Sequence, residues 1–239
     1  MTLPDPVLRA RAEGRSLLSE VEAKRLLEGF GLPITSEQLV SRVQDLESVL
    51  DRIPPPWVMK VAAPDLPHKS DAGGVAVGID TRERAQGTFH QLLNTVSRAR
   101  PGLRIQGILV QEHVQDVVAE LLLGSKQDEQ FGPVVVLGLG GLFTELYDDL
   151  TIRVAPVDEA EAVRMIGELR AAPLLRGYRA RQPADIPAIS HAVAALSRLA
   201  VDRQGEIAEV DINPLMALPA GRGVKVADAL VVLSRQAEP

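Results

Sequence analysis

The chain has 239 residues, 46% hydrophobic and 24% charged, the balance of a folded soluble protein with one domain or two modest ones. A formal net charge of −6 with no basic block argues against a nucleic-acid binder, and the lack of cysteine excludes disulfides and thiolate metal sites. The N-terminal stretch MTLPDPVLRARAEG mixes acids and bases without an apolar run, and no segment approaches the ~20 apolar residues of a membrane span, so a cytoplasmic protein is expected.

In chain order, Ser19 followed by Glu22 is a capping-box pattern ahead of apolar Val21, Leu26, Leu27 and Phe30, and it predicts a helix that Gly31 stops. A strand is expected over 33–40 and a helix over 43–53. Pro54, Pro55 and Pro56 then mark a loop. The apolar run 57–61 reads as a strand carrying a single Lys60. A polar loop, 63–74, separates it from a strand at 75–79 and a helix at 81–98. Strands are expected at 105–111, 117–124 and 134–138, helices at 158–169 and 185–201, and short strands at 207–212 and 224–227. Strands mixed with helices, some of them hairpin-like, imply an α+β fold.

Four segments can carry chemistry. Lys60 followed by the Gly73–Gly74 turn is what a phosphate site needs, a cation with backbone amides close by, although no Walker sequence is present. His68, in a loop beside Lys69, Ser70 and Asp71, can act as a nucleophile or acid–base near neutral pH. An exposed loop Lys and an exposed loop His are the plainer alternatives. On a strand, Glu209, Asp211 and Asn213 share one face, opposite Val210 and Ile212, with Pro214 ending the strand; such oxygen donors suit Mg2+, and a solvated edge strand is the alternative. Gly138, Gly140 and Gly141 follow an apolar strand but lack the GxGxxG spacing, so a nicotinamide site is excluded.

Together, PDLPHKSDAGGV, GILVQEHV, FGPVVVLGLGGLFTEL, PLLRGYRAR and EVDINPL occur in an order that resembles the ATP-grasp subunit of ADP-forming acetyl-CoA or acyl-CoA synthetases, from about Ser19 to Leu233. The resemblance implies an ATP-grasp fold in which two α+β subdomains, 19–110 and 111–239, clasp ATP or ADP after an N-terminal extension, 1–18. It implies that Lys60 meets the nucleotide phosphates and that Gln111, Glu112, His113 and Val114 form the hinge beside the adenine. Glu120 is placed near the ribose. Asn213 and Asp228 are implied as Mg2+ ligands, with Glu209 and Asp211 nearby, and His68 as a phosphate carrier. Lys69, Ser70, Arg179 and Arg181 are implied to bind phosphate. A separate CoA-binding α-type subunit is implied, in an assembly such as α2β2. Where the family commonly has Arg then Pro, this chain has Gln127 and Glu129; Ala180 stands between the two arginines, and Asp148 replaces a Lys. A different ATP-grasp carboxylate ligase, a succinate- or malate-type relative, and a non-catalytic ATP-binding module remain as alternative readings.

Overall fold

A computed structural model describes residues 5–64, 66, 69–140, 149–179 and 182–235. Contacts divide the chain into a larger unit, Met1–Ile34 with Asp116–Pro239, and a smaller unit, Thr35–Gln115. The linear division at 18 and 110 differs because the N-terminal segment packs with the C-terminal half: Leu18 N donates to Val231 O, and Ile34 bridges Val226.

The larger unit opens with α1 (Pro6–Ala12), capped by Asp5, and α2 (Glu20–Gly29). The capping box forms as the spacing predicts: Ser19 N donates to Glu22 Oε2 at 2.9 Å, and Glu22 N donates to Ser19 Oγ at 3.4 Å. Arg15 adds two bonds of 2.9 Å to the same carboxylate.

The smaller unit contains β1 (Glu37–Val40), α3 (Leu46–Leu50), β2 (Trp57–Ala62), β3 (Val75–Ile79), α4 (Arg82–Ala99) and β4 (Gly107–Glu112). The helix expected over 43–53 is a 3₁₀ turn, Val43–Asp45, followed by α3. Sheet order is β1-β4-β2-β3, antiparallel throughout. Ala85, Phe89, Leu92 and Val96 recur on one side of α4 and bury against Trp57, Met59 and Val61 of β2 and Ile108 and Val110 of β4. The single Trp is tied down by its indole N–H, which donates to Ile53 O at 2.6 Å.

The chain then returns to the larger unit with β5 (Ala119–Asp128), β6 (Gly132–Leu139), β7 (Leu150–Val154), α5 (Glu159–Glu168), α6 (Ala172–Leu175), α7 (Ile186–Asp202), β8 (Ile207–Ala217), β9 (Val224–Val226) and β10 (Ala229–Leu233). The sheet runs β10-β8-β5-β6-β7, with β9 paired to β8. α7, capped by Asp185 and apolar nearly all round, covers one sheet face, where Leu121, Leu123, Val135, Leu137, Val210 and Ile212 are buried. Side chains at the alternate positions of these strands therefore stand on the opposite face. Among the described residues no helix is long and apolar enough to cross a membrane.

Candidate functional site

Lys60, Gly73, Gly74, Gln111, Glu112, His113 and Val114 belong to the smaller unit, and Glu120, Arg179, Glu209, Asp211, Asn213 and Asp228 to the larger. His68 and Arg181 lie outside the described residues.

In the smaller unit, Trp57, Met59 and Val61 point to the helices, so Val58 and Lys60 occupy the other face of β2. Lys60 is directly opposite Leu109 and Val58 directly opposite Gln111, which puts Lys60 and Gln111 on one sheet face as diagonal neighbours. Both are buried, at 5% and 2% exposure. A lysine held on a rigid strand and largely removed from water is a strong local charge for a phosphate, because little solvent screens it.

In the Gly73–Gly74 turn, Gly73 is left-handed, with φ of +66°, and its amide donates to Ser70 O at 3.0 Å. The Gly74 amide donates to Lys69 O at 2.8 Å, and a Cβ there would stand 2.9 Å from that oxygen. Both amides donate within the turn. The turn fixes the exit of the loop that carries Lys69 and exposed Ser70.

The 111–114 segment is held by its own backbone. Glu112 N donates to Ser36 O at 2.9 Å, the Glu112 carboxylate accepts from Ser36 N at 2.8 Å, and His113 N donates to Pro56 O at 3.0 Å. These bonds occupy the Glu112 side chain and two of the amides.

In the larger unit, β8 alternates as predicted: Val210 and Ile212 are buried, while Glu209 and Asp211 are half-buried and Asn213 is exposed on the other face. One expectation about this strand is corrected: Pro214 does not end it. The alternative of a solvated edge strand does not hold either, since β8 lies between β10 and β5. The β5–β8 register shifts between Leu121 and Leu123, opposite Asn213 and Pro214, so the proline sits at a bulge where its missing N–H costs no ladder bond. The Asn213–Pro214 peptide is cis.

Antiparallel pairing sets Ala229 opposite Ile212 and Leu230 opposite Asp211, so the next step places Asp228 beside Asn213. Ala227 N, donating to Pro214 O at 3.1 Å, fixes this approach, and Asp228 Oδ1 accepts from Ala229 N at 2.9 Å. Glu209 and Asp211 share the face without making a closed metal cage. Among the described residues no group of three or more His, Asp or Glu is placed to hold a metal ion. Two hard oxygen donors side by side fit Mg2+, which is commonly held by one or two protein oxygens and completes its shell with phosphate and water.

Glu120 is exposed on the same face of β5, across from Met216, and Lys225 follows in that row on β9. Lys126, across from Glu209, also joins the face. It escaped the sequence reading because the strand was expected to stop at 124; the signal was the buried alternation of Leu121 and Leu123, which continues to Ser125. Gly138 and Gly140 serve strand packing. A Cβ on Gly140 would meet the Leu121 carbonyl carbon at 2.8 Å and that of Glu120 at 3.0 Å. Arg179, at a left-handed φ of +50°, is exposed with its guanidinium 5.2 Å from the Tyr178 ring centre.

The ATP-grasp domain family matches residues 9–233. The chain is 35% identical over 222 residues to the acetate–CoA ligase [ADP-forming] II subunit beta of Pyrococcus furiosus, covering 93% of this chain and 94% of that one. It is 34% identical over 225 residues to the ADP-forming 4-hydroxybutyrate–CoA ligase of Nitrosopumilus maritimus, covering 94% of this chain but only 32% of that longer protein. The structure of dinucleotide-forming acetyl-coenzyme A synthetase 1 from Candidatus Korarchaeum cryptofilum, with coenzyme A and Ca-AMPCP, matches with a TM-score of 0.91 and 40% identity over 95% of this chain and 98% of that chain. The same Korarchaeum protein is known with a phosphorylated phosphohistidine segment (TM-score 0.87, 38% identity, 96% of this chain and 99% of that one). It is also known with Mg-AMPPCP and that segment pointing towards the nucleotide site (TM-score 0.81, 37% identity, 96% and 99%). The chain therefore belongs to the ATP-grasp family, in the group that includes the β subunits of ADP-forming acetate–CoA ligases.

Proposed function

We propose that this chain is the nucleotide-handling subunit of an ADP-forming acyl-CoA synthetase. The reaction interconverts acyl-CoA, ADP and phosphate with a carboxylate, CoA and ATP through a phosphohistidine relay. The observation that carries the reading is the pairing of Asn213 with Asp228 on the open face of the larger sheet. It occurs in a chain similar to a ligase β subunit over nearly all of both lengths.

His68 is the residue proposed to carry the phosphoryl group. In the ATP-forming direction, a phosphate oxygen of ADP attacks the phosphorus, the P–N bond breaks, and the imidazole nitrogen keeps the electron pair. The Lys60 ammonium offsets the phosphate charge during transfer, and Asn213 and Asp228 supply two oxygens to Mg2+. When bound, Mg2+ draws charge from the phosphate oxygens. Glu120 orients the ribose, residues 111–114 meet the base, and Lys69, Ser70, Arg179 and Arg181 receive phosphate.

Coenzyme A is handled outside these residues, by a CoA-binding α-type subunit in an assembly such as α2β2. What supports a partner is the name "subunit beta" carried by the Pyrococcus relative, and the Nitrosopumilus ligase, of which this chain matches about one third. The test is reconstitution with the CoA-binding subunit. His68→Ala is expected to abolish turnover while ATP still binds; full turnover by the assembled variant would remove the relay from this chain.

A further inference from the structure

The open face of the larger sheet divides into two regions. On β8 it carries Glu209, Asp211 and Asn213; on β6 and β7 it is aliphatic. Register makes the division explicit. Asp211, Gly124, Val136 and Ile152 form one row across β8, β5, β6 and β7, and Glu209, Lys126, Val134 and Val154 form the next. Leu122, Gly138 and Leu150 form a third. Leu150, Ile152 and Val154 are 45%, 52% and 50% exposed, beside half-buried Val134 and Val136. Phe131, in the turn joining β5 and β6, is exposed at the Val134–Val154 end.

The inner side of β7 is satisfied: Thr151 is buried, and Arg153 pairs with Glu161 and Glu168 at 2.6 Å each. Its outer side has only aliphatic groups, and β7 is the last strand of the described sheet. Edge strands of soluble proteins ordinarily carry outward charges, prolines or bulges that block association. β7 has none on its outer face. Elsewhere in the larger unit, exposed apolar residues such as Leu8, Val163 and Leu174 do not line up in register, whereas this strip is contiguous across two strands.

We infer that the β6–β7 strip is the docking surface for the CoA-binding partner subunit, through an aliphatic counter-surface on that partner. The inference rests on the function proposed above. The Pyrococcus relative is named a β subunit, and the Nitrosopumilus ligase carries this domain as about one third of its length, so in both forms further protein accompanies the domain. Permanent neighbours of this kind are held by apolar patches resembling a core cut in two. Position agrees: three strand spacings, roughly 14 Å, separate the Ile152 column from that of Asp211. A partner seated on the strip would stand on the face that carries Asn213, where a phosphoryl group has to be passed on. A second copy of this chain is the competing occupant, but it would not account for the domain's occurrence fused within one longer chain.

The experiment compares the wild type, Ile152→Asp/Val154→Asp and Ile152→Leu, each co-purified and titrated with the CoA-binding subunit of the same organism. The double variant is expected to bind that subunit on the order of 100-fold more weakly. Its ATP- and Mg2+-induced thermal shift should be unchanged, and Ile152→Leu should bind like wild type. Unchanged partner affinity and turnover in the double variant would overturn the docking surface while leaving the proposed function standing. Self-association of the chain alone, abolished by the same variant, would assign the strip to a second copy and overturn the inference. If even the wild type fails to bind the CoA-binding subunit, both the docking surface and the partner-dependent function fall.

Discussion

Asn213 and Asp228 are fifteen positions apart in the chain (228 − 213), with no local motif to join them, yet the β8–β10 pairing sets them side by side. If they hold the nucleotide's Mg2+, Asp228→Asn should raise the Mg2+ concentration for half-maximal turnover by about tenfold, the effect of losing one charged contact. The melting temperature should barely move, because Asp228 is half-buried at a strand end. A titration of activity against Mg2+ checks this. Gly140→Ala tests a different kind of residue. Its Cβ would enter the Glu120–Leu121 peptide, so it should cost about 1–3 kcal/mol in stability by forcing the backbone aside. Because the displaced strand carries Glu120, KM for ATP should rise more than kcat falls. At this scale the sequence made the Glu209, Asp211 and Asn213 face legible, since alternation alone dictates it. It did not show that the Gly73 and Gly74 amides donate to Ser70 and Lys69 within the turn, because such amides look the same in sequence as amides without a partner in the chain.

The capping box of α2 ties a sequence pattern to a measurable stability. Ser19→Ala should cost about 1 kcal/mol, which for a chain of this size lowers the melting temperature by about 2–4 °C. Glu22 gives the element a pH dependence. Burial raises its pKa, but the Arg15 guanidinium and the amide and hydroxyl of Ser19 lower it further, leaving it below its ordinary 4.5. Its contribution is therefore complete above about pH 4.5 and is lost as pH falls through the depressed folded value. Glu22→Gln should be less stable than wild type at pH 7, and the difference should shrink as the pH is lowered below 4.5 in denaturant titrations. Long periodic elements such as α4 and α7 were readable because repeated burial positions outvote local noise. The five-residue strands β7 and β10 went unpredicted although the equally short β3 was read, so length alone does not decide which strands are legible. Pro214 read as a strand end because the bulge that accommodates it depends on the register with β5, a non-local fact.

At the scale of the whole molecule, strand order was beyond sequence reasoning. Nothing local places β10 next to β8 or leaves β7 at the end of the sheet. That order nevertheless separates the oxygen-rich strip on β8 from the aliphatic strip on β6 and β7. The function proposed for this arrangement divides the reaction between chains. The purified chain should bind ATP with Mg2+ yet form no acyl-CoA from carboxylate, CoA and ATP until the CoA-binding subunit is added. A coupled assay for CoA consumption with and without that subunit checks the division.

The most direct test of the central claim is phosphoryl labelling with γ-labelled ATP and Mg2+, on wild type and His68→Ala, each with and without the CoA-binding subunit. An acid-labile, base-stable label on the wild-type chain that is absent from His68→Ala is the predicted result. ATP binding with no label on the assembled wild type, or a label that persists in His68→Ala, would contradict a phosphohistidine relay through His68.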